Sequence, residues 1–361
     1  MNLADLPTPC LVLDRSILQR NIARMADSVA RHGVGLRPHM KTAKSIDVAR
    51  LAVQGQPGGI TVSTLAEAEY FAAHGIADIL YAVGITPQKL DQVAKLNAAG
   101  ARVMALTDDP ETAAAITAHK QAPRTLIEID TGESRGGVLP DDDTLLELAS
   151  ILGPRLAGVM THAGHSYGGR SIAQIARIAE AERSGVVRAA ERLRAAGHAA
   201  PIVSMGSSPT ALHAESLAGV TEIRAGVYMF GDLFQSEIGT HGVDDIAVTV
   251  LTSVIGRRPG RILVDAGGLA LSKDRSTETA PHDYGFGLVL DLAGQPMGGA
   301  IVRRAYQEHG VIEIDSTSLH VGDKLRIAPN HTCMTAAAHD RYHVIDGGET
   351  VVAAWPRVNG W

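Results

Sequence analysis

The stretch LAGVMTHAGHSYGGRSIAQIARIAEAERSGVVRAAERLRAAG, residues 156–197, decides how this chain is read. It opens with a short apolar run, passes through a turn of small and polar residues, and ends in a long helical pattern. Ile172, Ile175 and Ile178/Ala179 recur at helical spacing, an apolar stripe that needs a core to face. The same unit recurs through the first two thirds of the sequence. Strands are expected at 35–39, 60–63, 78–83, 102–106, 125–130, 156–162, 202–205 and 221–228. Helical patterns fall between them, as at 65–74, 87–99 and 110–119, and one precedes them at 16–31. About eight strand–helix units in one run predict an α/β fold, a TIM-like (β/α)8 barrel. A doubly wound sheet is the competing architecture, but it uses fewer strands and opens with a glycine-rich dinucleotide loop. No G-x-G-x-x-G follows the first strand here.

Past about residue 239 the texture changes. AVTVLTSVIG, RILVDAGG, LHVGDKLRIAP and TVVAAWPRV are β-rich runs separated by Gly, Pro and Asp. They predict a second, β-rich domain. The expected division is a barrel over 13–236 and a β domain over 237–361 with 1–12. The run CLVLD (10–14) is compatible with either domain.

The chain of 361 residues is 45% hydrophobic and 20% charged, ordinary for a soluble globular protein with a substantial core. Its net charge of -6 argues against nucleic acid as a partner, because nucleic-acid-binding domains usually carry a basic excess. Cys10 and Cys333 are far apart and form no disulfide framework, which fits a reducing compartment. The N-terminus has no basic region leading into an apolar one, and no apolar run reaches membrane-spanning length. The expectation is a cytoplasmic protein without a membrane partner.

Catalytic groups of a barrel enzyme sit at the C-terminal ends of its strands, and phosphate often binds after the seventh and eighth. Titratable and glycine residues collect at those positions. The first expected strand is followed by RPHMKTAKS, with His39, Lys41 and Lys44; the fifth by DTGESRGG, with Arg135. The sixth ends in THAGHSYGG, with His162, His165 and Tyr167. The seventh leads into MGSSPT, with Gly206, Ser207 and Ser208, and the eighth into RAGVYMFGD, with Gly226, Val227 and Tyr228. A lysine that forms a Schiff base needs burial or nearby positive charge, which Arg37, His39 and Lys44 are placed to supply to Lys41. GSSPT before a helix reads equally as an anion site and as an N-cap. His331 and Cys333 stand two apart; in a strand both would face one side and reach one ion.

These segments carry a resemblance. LPTPCLVLD, the helix bearing Asn21, RPHMKTAKS, GITVSTLAEAEYF, DILYAVGIT, IEIDTGESRGG, GVMTHAGHSY, VSMGSSPTAL, TEIRAGVYMFGDL, ILVDAGG, QEHG and PNHTC follow in that order. Together they resemble the D-serine dehydratase / D-threonine aldolase family, fold-type III pyridoxal 5'-phosphate (PLP) enzymes built like alanine racemase. The resemblance implies that Lys41 carries the cofactor as a Schiff base and takes the substrate's Cα proton. It implies Arg135 near the cofactor's phenolic oxygen, with His162 packed on the pyridine ring beside Tyr167. Gly206, Ser207, Gly226 and Val227 are implied as the phosphate cup. Arg224 aligns with the arginine that faces the pyridine nitrogen in alanine racemase. His331 and Cys333 are implied as ligands of a divalent metal, zinc first, with manganese or another ion as alternatives.

The implied activity is a PLP- and metal-dependent lyase dehydrating D-threo-3-hydroxyaspartate or D-serine to a 2-oxo acid and ammonia. The His-x-Cys pair resembles the dehydratase branch, since the aldolase branch typically shows His-x-Asp. Retro-aldol cleavage to glycine and an aldehyde is the alternative. A racemase is less favoured, because the β domain lacks the tyrosine motif that serves as the racemase's second base. A non-catalytic PLP carrier resembles a bare barrel, so the β domain counts against it. Lys273, Arg275, Arg303 and Arg304 are candidates to meet a second substrate carboxylate. A homodimer is also implied.

Overall fold

The computed structural model describes residues 1–314 and 318–361. Strand β1 (Cys10–Asp14) leads into a helix, Arg15–Ala30. Eight parallel strands follow: β2 (Gly35–Pro38), β3 (Ile60–Val62), β4 (Asp78–Tyr81), β5 (Arg102–Thr107), β6 (Thr125–Glu128), β7 (Leu156–Met160), β8 (Ile202–Met205) and β9 (Glu222–Ala225). Their order, β2-β9-β8-β7-β6-β5-β4-β3, runs once around a barrel. The seam between β2 and β3 is bridged at its rim, where His39 pairs with Thr61 and the Met40 N–H donates to the Thr61 carbonyl at 2.8 Å. All eight expected strands are present. Several end earlier than their apolar runs, because the residues beyond the ladder turn outward to form the rim.

The helices start where local chemistry says they should. Thr64 caps Leu65–Ala73 by accepting the Glu67 N–H. Asp109 caps Pro110–Ala118, with proline at the start of the helix. Ser171 caps the 24-residue helix Ile172–Ala195. Three helices that the periodicity did not single out complete the units: Ile46–Val53, Thr144–Leu152 and Ser208–His213. Leu80, Met104, Leu106, Leu126, Ala157 and Met160, from β4 to β7, pack as one buried apolar cluster.

Two units emerge from the packing: residues 24–226 with 358–361, and residues 1–23 with 227–357. The second contains β1 and β10 (Val248–Arg258), β11 (Arg261–Val264), β12 (Leu288–Leu290), β13 (Pro296–Ala305), β14 (Gly310–Glu313), β15 (Lys324–Ala328), β16 (Arg341–Ile345) and β17 (Ala353–Pro356). These form one sheet in the order β11-β14-β13-β12-β15-β10-β1-β16-β17. The long β10 also pairs with β11, past an irregularity between Val254 and Gly256, so six of the strands close on themselves. The open question about CLVLD is resolved: β1 lies in this sheet, antiparallel to β10 and parallel to β16. Among the described residues no helix is long and apolar enough to cross a membrane.

Candidate active site

Every strand of the barrel delivers its chain to the C-terminal rim, and Lys41, Arg135, His162, Gly206 and Gly226 follow the strand ends there. Lys41 lies three residues past β2 and is exposed, its N–H donating to the His39 Nδ1 at 3.3 Å. The surroundings of Lys41 differ from expectation. Arg37 is committed to Asp78 (2.8 Å) and Glu222 (2.9 Å), and Lys44 to the fully buried Glu67 (3.0 Å). Burial, Lys41 and Arg224 hold His39 well below the usual imidazole range. Arg37 and Lys44 are therefore neutralised, and besides Lys41 the cation that acts on both His39 and His162 is Arg224.

His162 follows β7 at the rim. Its Nδ1 donates to the Gly206 carbonyl at 2.9 Å, which leaves the lone pair on Nε2. Burial first, then Lys41, lowers it to about 3, with Arg224 and Arg135 adding to the effect. The four groups are thus close enough to act on one another, and His162 is a neutral ring. The Tyr167 ring lies 6.5 Å from it. Arg135, on the loop after β6, is largely exposed and pairs with Glu133 (3.3 Å) and Glu128 (3.9 Å).

Arg224 is buried on β9, opposite Arg37 on β2. Its Nε donates to Ser204 Oγ at 2.8 Å and its Nη2 to the Thr161 carbonyl, so the guanidinium is held in one orientation. Burial lowers it, while Glu222, Glu182 and Glu128 oppose the shift.

The candidate phosphate cup is partly committed within the chain. Ser207 caps the helix Ser208–His213, its Oγ accepting the Thr210 N–H at 3.2 Å and contacting Ser166 Oγ at 2.9 Å. Its own N–H donates to Thr210 Oγ1 (3.0 Å), and the Gly206 N–H donates to Glu182 (3.0 Å). Of the two readings of GSSPT, the cap is realised. Among the described residues the N–H groups of Gly226 and Val227 donate to no other group of the chain. A Cβ on Gly226 would stand 2.8 Å from the His39 carbonyl, and one on Gly206 (φ +127) 2.6 Å from the Arg224 carbonyl. Bare backbone, unpartnered N–H groups and a hydroxyl suit a phosphate.

In the second unit, His331 and Cys333 are not in a strand: His331 is the cap residue of the short helix Thr332–Ala336. They nevertheless hydrogen-bond each other. His331 Nδ1 lies 3.3 Å from Asp274 Oδ2, and Asp232 accepts the N–H of the intervening Thr332 at 3.0 Å. Burial opposes a charge on His331, but Asp274, Cys333 and Asp232 outweigh it and push the ring up to about 11. An imidazole ringed by one thiol and two carboxylates is a place that seeks a cation, so the donor set fits a divalent metal. Among the described residues no three His, Cys, Asp or Glu side chains are gathered as a ready-made metal cage. Three of the four candidates for a second carboxylate have partners of their own: Arg275 with Asp283 (2.8 Å), Arg303 with Glu313 (3.6 Å), and Lys273 with the Ala305 carbonyl.

Sequence reasoning missed Asp274 and Glu182. Asp274 sits in a polar loop with no motif around it. Glu182 had a signal, since it falls on the same helical stripe as Ile175, Ala179 and Val186. A carboxylate on an apolar stripe is the anomaly to look for.

Residues 13–233 match the family model for alanine racemase, N-terminal domain, and residues 247–345 that for a putative serine dehydratase domain. A D-threo-3-hydroxyaspartate dehydratase from Delftia sp. (strain HT23) is 45% identical over 99% of both chains. The chain belongs to the D-serine dehydratase / D-threonine aldolase family. Another family member, a D-serine dehydratase of Dictyostelium discoideum, is 30% identical over 99% of this chain and 98% of its own. The solved D-threo-3-hydroxyaspartate dehydratase from Delftia sp. HT23 superposes over all of both chains with a TM-score of 0.96 at 43% identity. A mutant of D-threo-3-hydroxyaspartate dehydratase, solved in a metal-free form, gives 0.97, also at 43% identity and over all of both chains. The family's barrel and β-rich sheet are those described above.

Proposed function

We propose that the chain is a PLP- and divalent-metal-dependent lyase that dehydrates a D-β-hydroxy amino acid, D-threo-3-hydroxyaspartate or D-serine, to a 2-oxo acid and ammonia. The observation that carries this is the full-length likeness, at 45% identity, to a protein of that activity. The rim lysine and the His331–Cys333 pair fit it.

Bound PLP supplies an electron sink, and a bound metal a Lewis acid for the β-hydroxyl. The chain supplies the rest. Lys41 takes the Cα proton. His162, locked to the Gly206 carbonyl, would offer a neutral flat ring to the pyridine. Arg135 would meet the phenolic oxygen, and Arg224, fixed by Ser204 and Thr161, would serve the pyridine nitrogen. The N–H groups of Gly226 and Val227, the Ser207 hydroxyl and the space left by Gly206 receive the phosphate. His331 and Cys333 hold the metal, for which zinc fits the imidazole–thiolate pair and manganese is the alternative. Asp274, 3.3 Å from Nδ1, fixes the orientation of the His331 ring. A solved relative described as metal-free supports a metal in this family. We place the enzyme in the cytoplasm as a homodimer.

Retro-aldol cleavage is the second reading, favoured by a 3-hydroxy-D-aspartate aldolase of Paracoccus denitrificans at 32% identity over 99% of this chain and 92% of its own. A panel of D-β-hydroxy amino acids separates the two. Ammonia with a 2-oxo acid is expected; glycine with an aldehyde would overturn dehydration in favour of the aldolase.

A further inference from the structure

Glu182 stands in the middle of the helix Ile172–Ala195 with no exposed surface. Its neighbours on the buried stripe are Ile175, Ala179, Val186 and Ala189. Burying a carboxylate among them costs free energy that an apolar residue would not, so its contacts matter. One oxygen, Oε1, accepts two backbone N–H groups, from Ala163 at 2.9 Å and from Gly206 at 3.0 Å. Oε1 thus ties the chain leaving β7 to the chain leaving β8, and the Thr210 side chain, on the helix that follows β8, also bears on the carboxylate.

That point adjoins the site. Ala163 follows His162, and the Gly206 carbonyl receives the His162 Nδ1–H at 2.9 Å. The bonds close a circuit: His162 to the Gly206 carbonyl, the Gly206 N–H to Glu182, and the N–H beside His162 to the same oxygen. Gly206 takes φ +127, and a Cβ there would strike the Arg224 carbonyl at 2.6 Å. The Gly206 N–H anchors the peptide before it on Glu182, and the peptide that carries the Gly206 carbonyl is anchored through its own N–H, that of Ser207, on Thr210 Oγ1 at 3.0 Å. What the two N–H groups require is an acceptor oxygen at this reach, which the Glu182 side chain supplies.

We propose that Glu182 is a positioning residue of the cofactor site: from behind the strands it sets the plane of the His162 ring and the course of the 206–208 loop. This rests on the reading of that rim as a PLP site. A purely structural residue would affect the fold; a positioning residue for the phosphate loop affects one part of one ligand.

The test strips the full-length chain of cofactor and titrates it, by absorbance, with pyridoxal phosphate and with pyridoxal, which lacks the phosphate. Glu182→Ala is expected to bind pyridoxal phosphate about tenfold or more weakly, since two buried N–H groups lose their acceptor, and pyridoxal with a much smaller loss. Glu182→Gln keeps an acceptor oxygen at the same reach and is expected to restore binding to within about threefold. Should Glu182→Ala fail to fold, Glu182→Asp takes its place with the same expectation, because it keeps the charge and falls short by one methylene. Equal losses for the two aldehydes, or no loss for pyridoxal phosphate, overturn the proposal. A wild-type chain that gains no chromophore overturns the cofactor reading and this proposal with it; an active wild type beside unchanged variants overturns the proposal alone.

Discussion

At the scale of single residues, the surroundings of the rim keep His39 and His162 uncharged. His162 has burial, Lys41 and Arg224 against its protonation, and only the Gly206 carbonyl in favour. Its folded value of about 3 lies below the ordinary 6.5, so the folded state binds fewer protons than the unfolded chain. Stability is then full above pH 6.5 and falls as the pH drops from there toward 3. The loss from this one group approaches about 1.4 kcal/mol per pH unit at the steepest. Urea unfolding at about pH 7.5 and about pH 5.5 checks it: the midpoint of the wild type should fall more than that of His162→Asn. Equal falls in the two proteins would remove His162 as a source of the acid sensitivity. His39, in the same field, was visible in the sequence as a rim histidine, but its neutrality was not. The reason is that Arg37 and Lys44, which look like positive neighbours in sequence, are neutralised by carboxylates from β4, β9 and the helix after β3.

Strand β7 shows what elements must do to reach the rim. Gly158 takes φ +138, and a Cβ there would stand 2.0 Å from the Ile202 carbonyl on β8. The pairing of β6 with β7 shifts register one step before it. This irregularity sets where β7 ends, and so where His162 stands. Gly158→Ala is expected to cost at least about 2 kcal/mol, from the left-handed backbone and the backbone clash together. Chemical denaturation measures it, and a variant as stable as wild type would mean that β7 and β8 separate without cost. In the sequence, LAGVM reads simply as a strand. A glycine inside a strand is a known sign of a bulge or close approach, yet which neighbour it approaches depends on β8, some forty residues later. Gly206 is the same case after β8, as its close neighbour is β9.

For the whole molecule, the candidate donors divide. Lys41, Arg135, His162, Gly206 and Arg224 belong to one unit, and His331, Cys333 and Asp274 to the other. Removing the metal should therefore stop product formation while the cofactor absorbance and far-UV circular dichroism stay as they were. Ammonia release before and after chelation, followed by zinc or manganese added back, is the measurement. Loss of the cofactor absorbance on chelation would mean that the metal supports the cofactor site instead of the reaction.

Sequence by itself determined the architecture and gathered the candidate residues at one address. Eight apolar runs separated by helical stripes leave little choice but a barrel, because each run needs a partner on both sides and each stripe needs a core. Lys41, His162, Gly206 and Gly226 follow those runs, and a barrel brings all such positions to one rim. Tertiary structure alone decided how the residues are used. It neutralised Arg37 and Lys44, turned the Gly206 N–H toward Glu182, set His331 against Asp274, and placed His331 and Cys333 at a helix start instead of on a strand. Hydrogen bonds and charges act over a few ångströms in space, between groups that lie tens of residues apart along the chain.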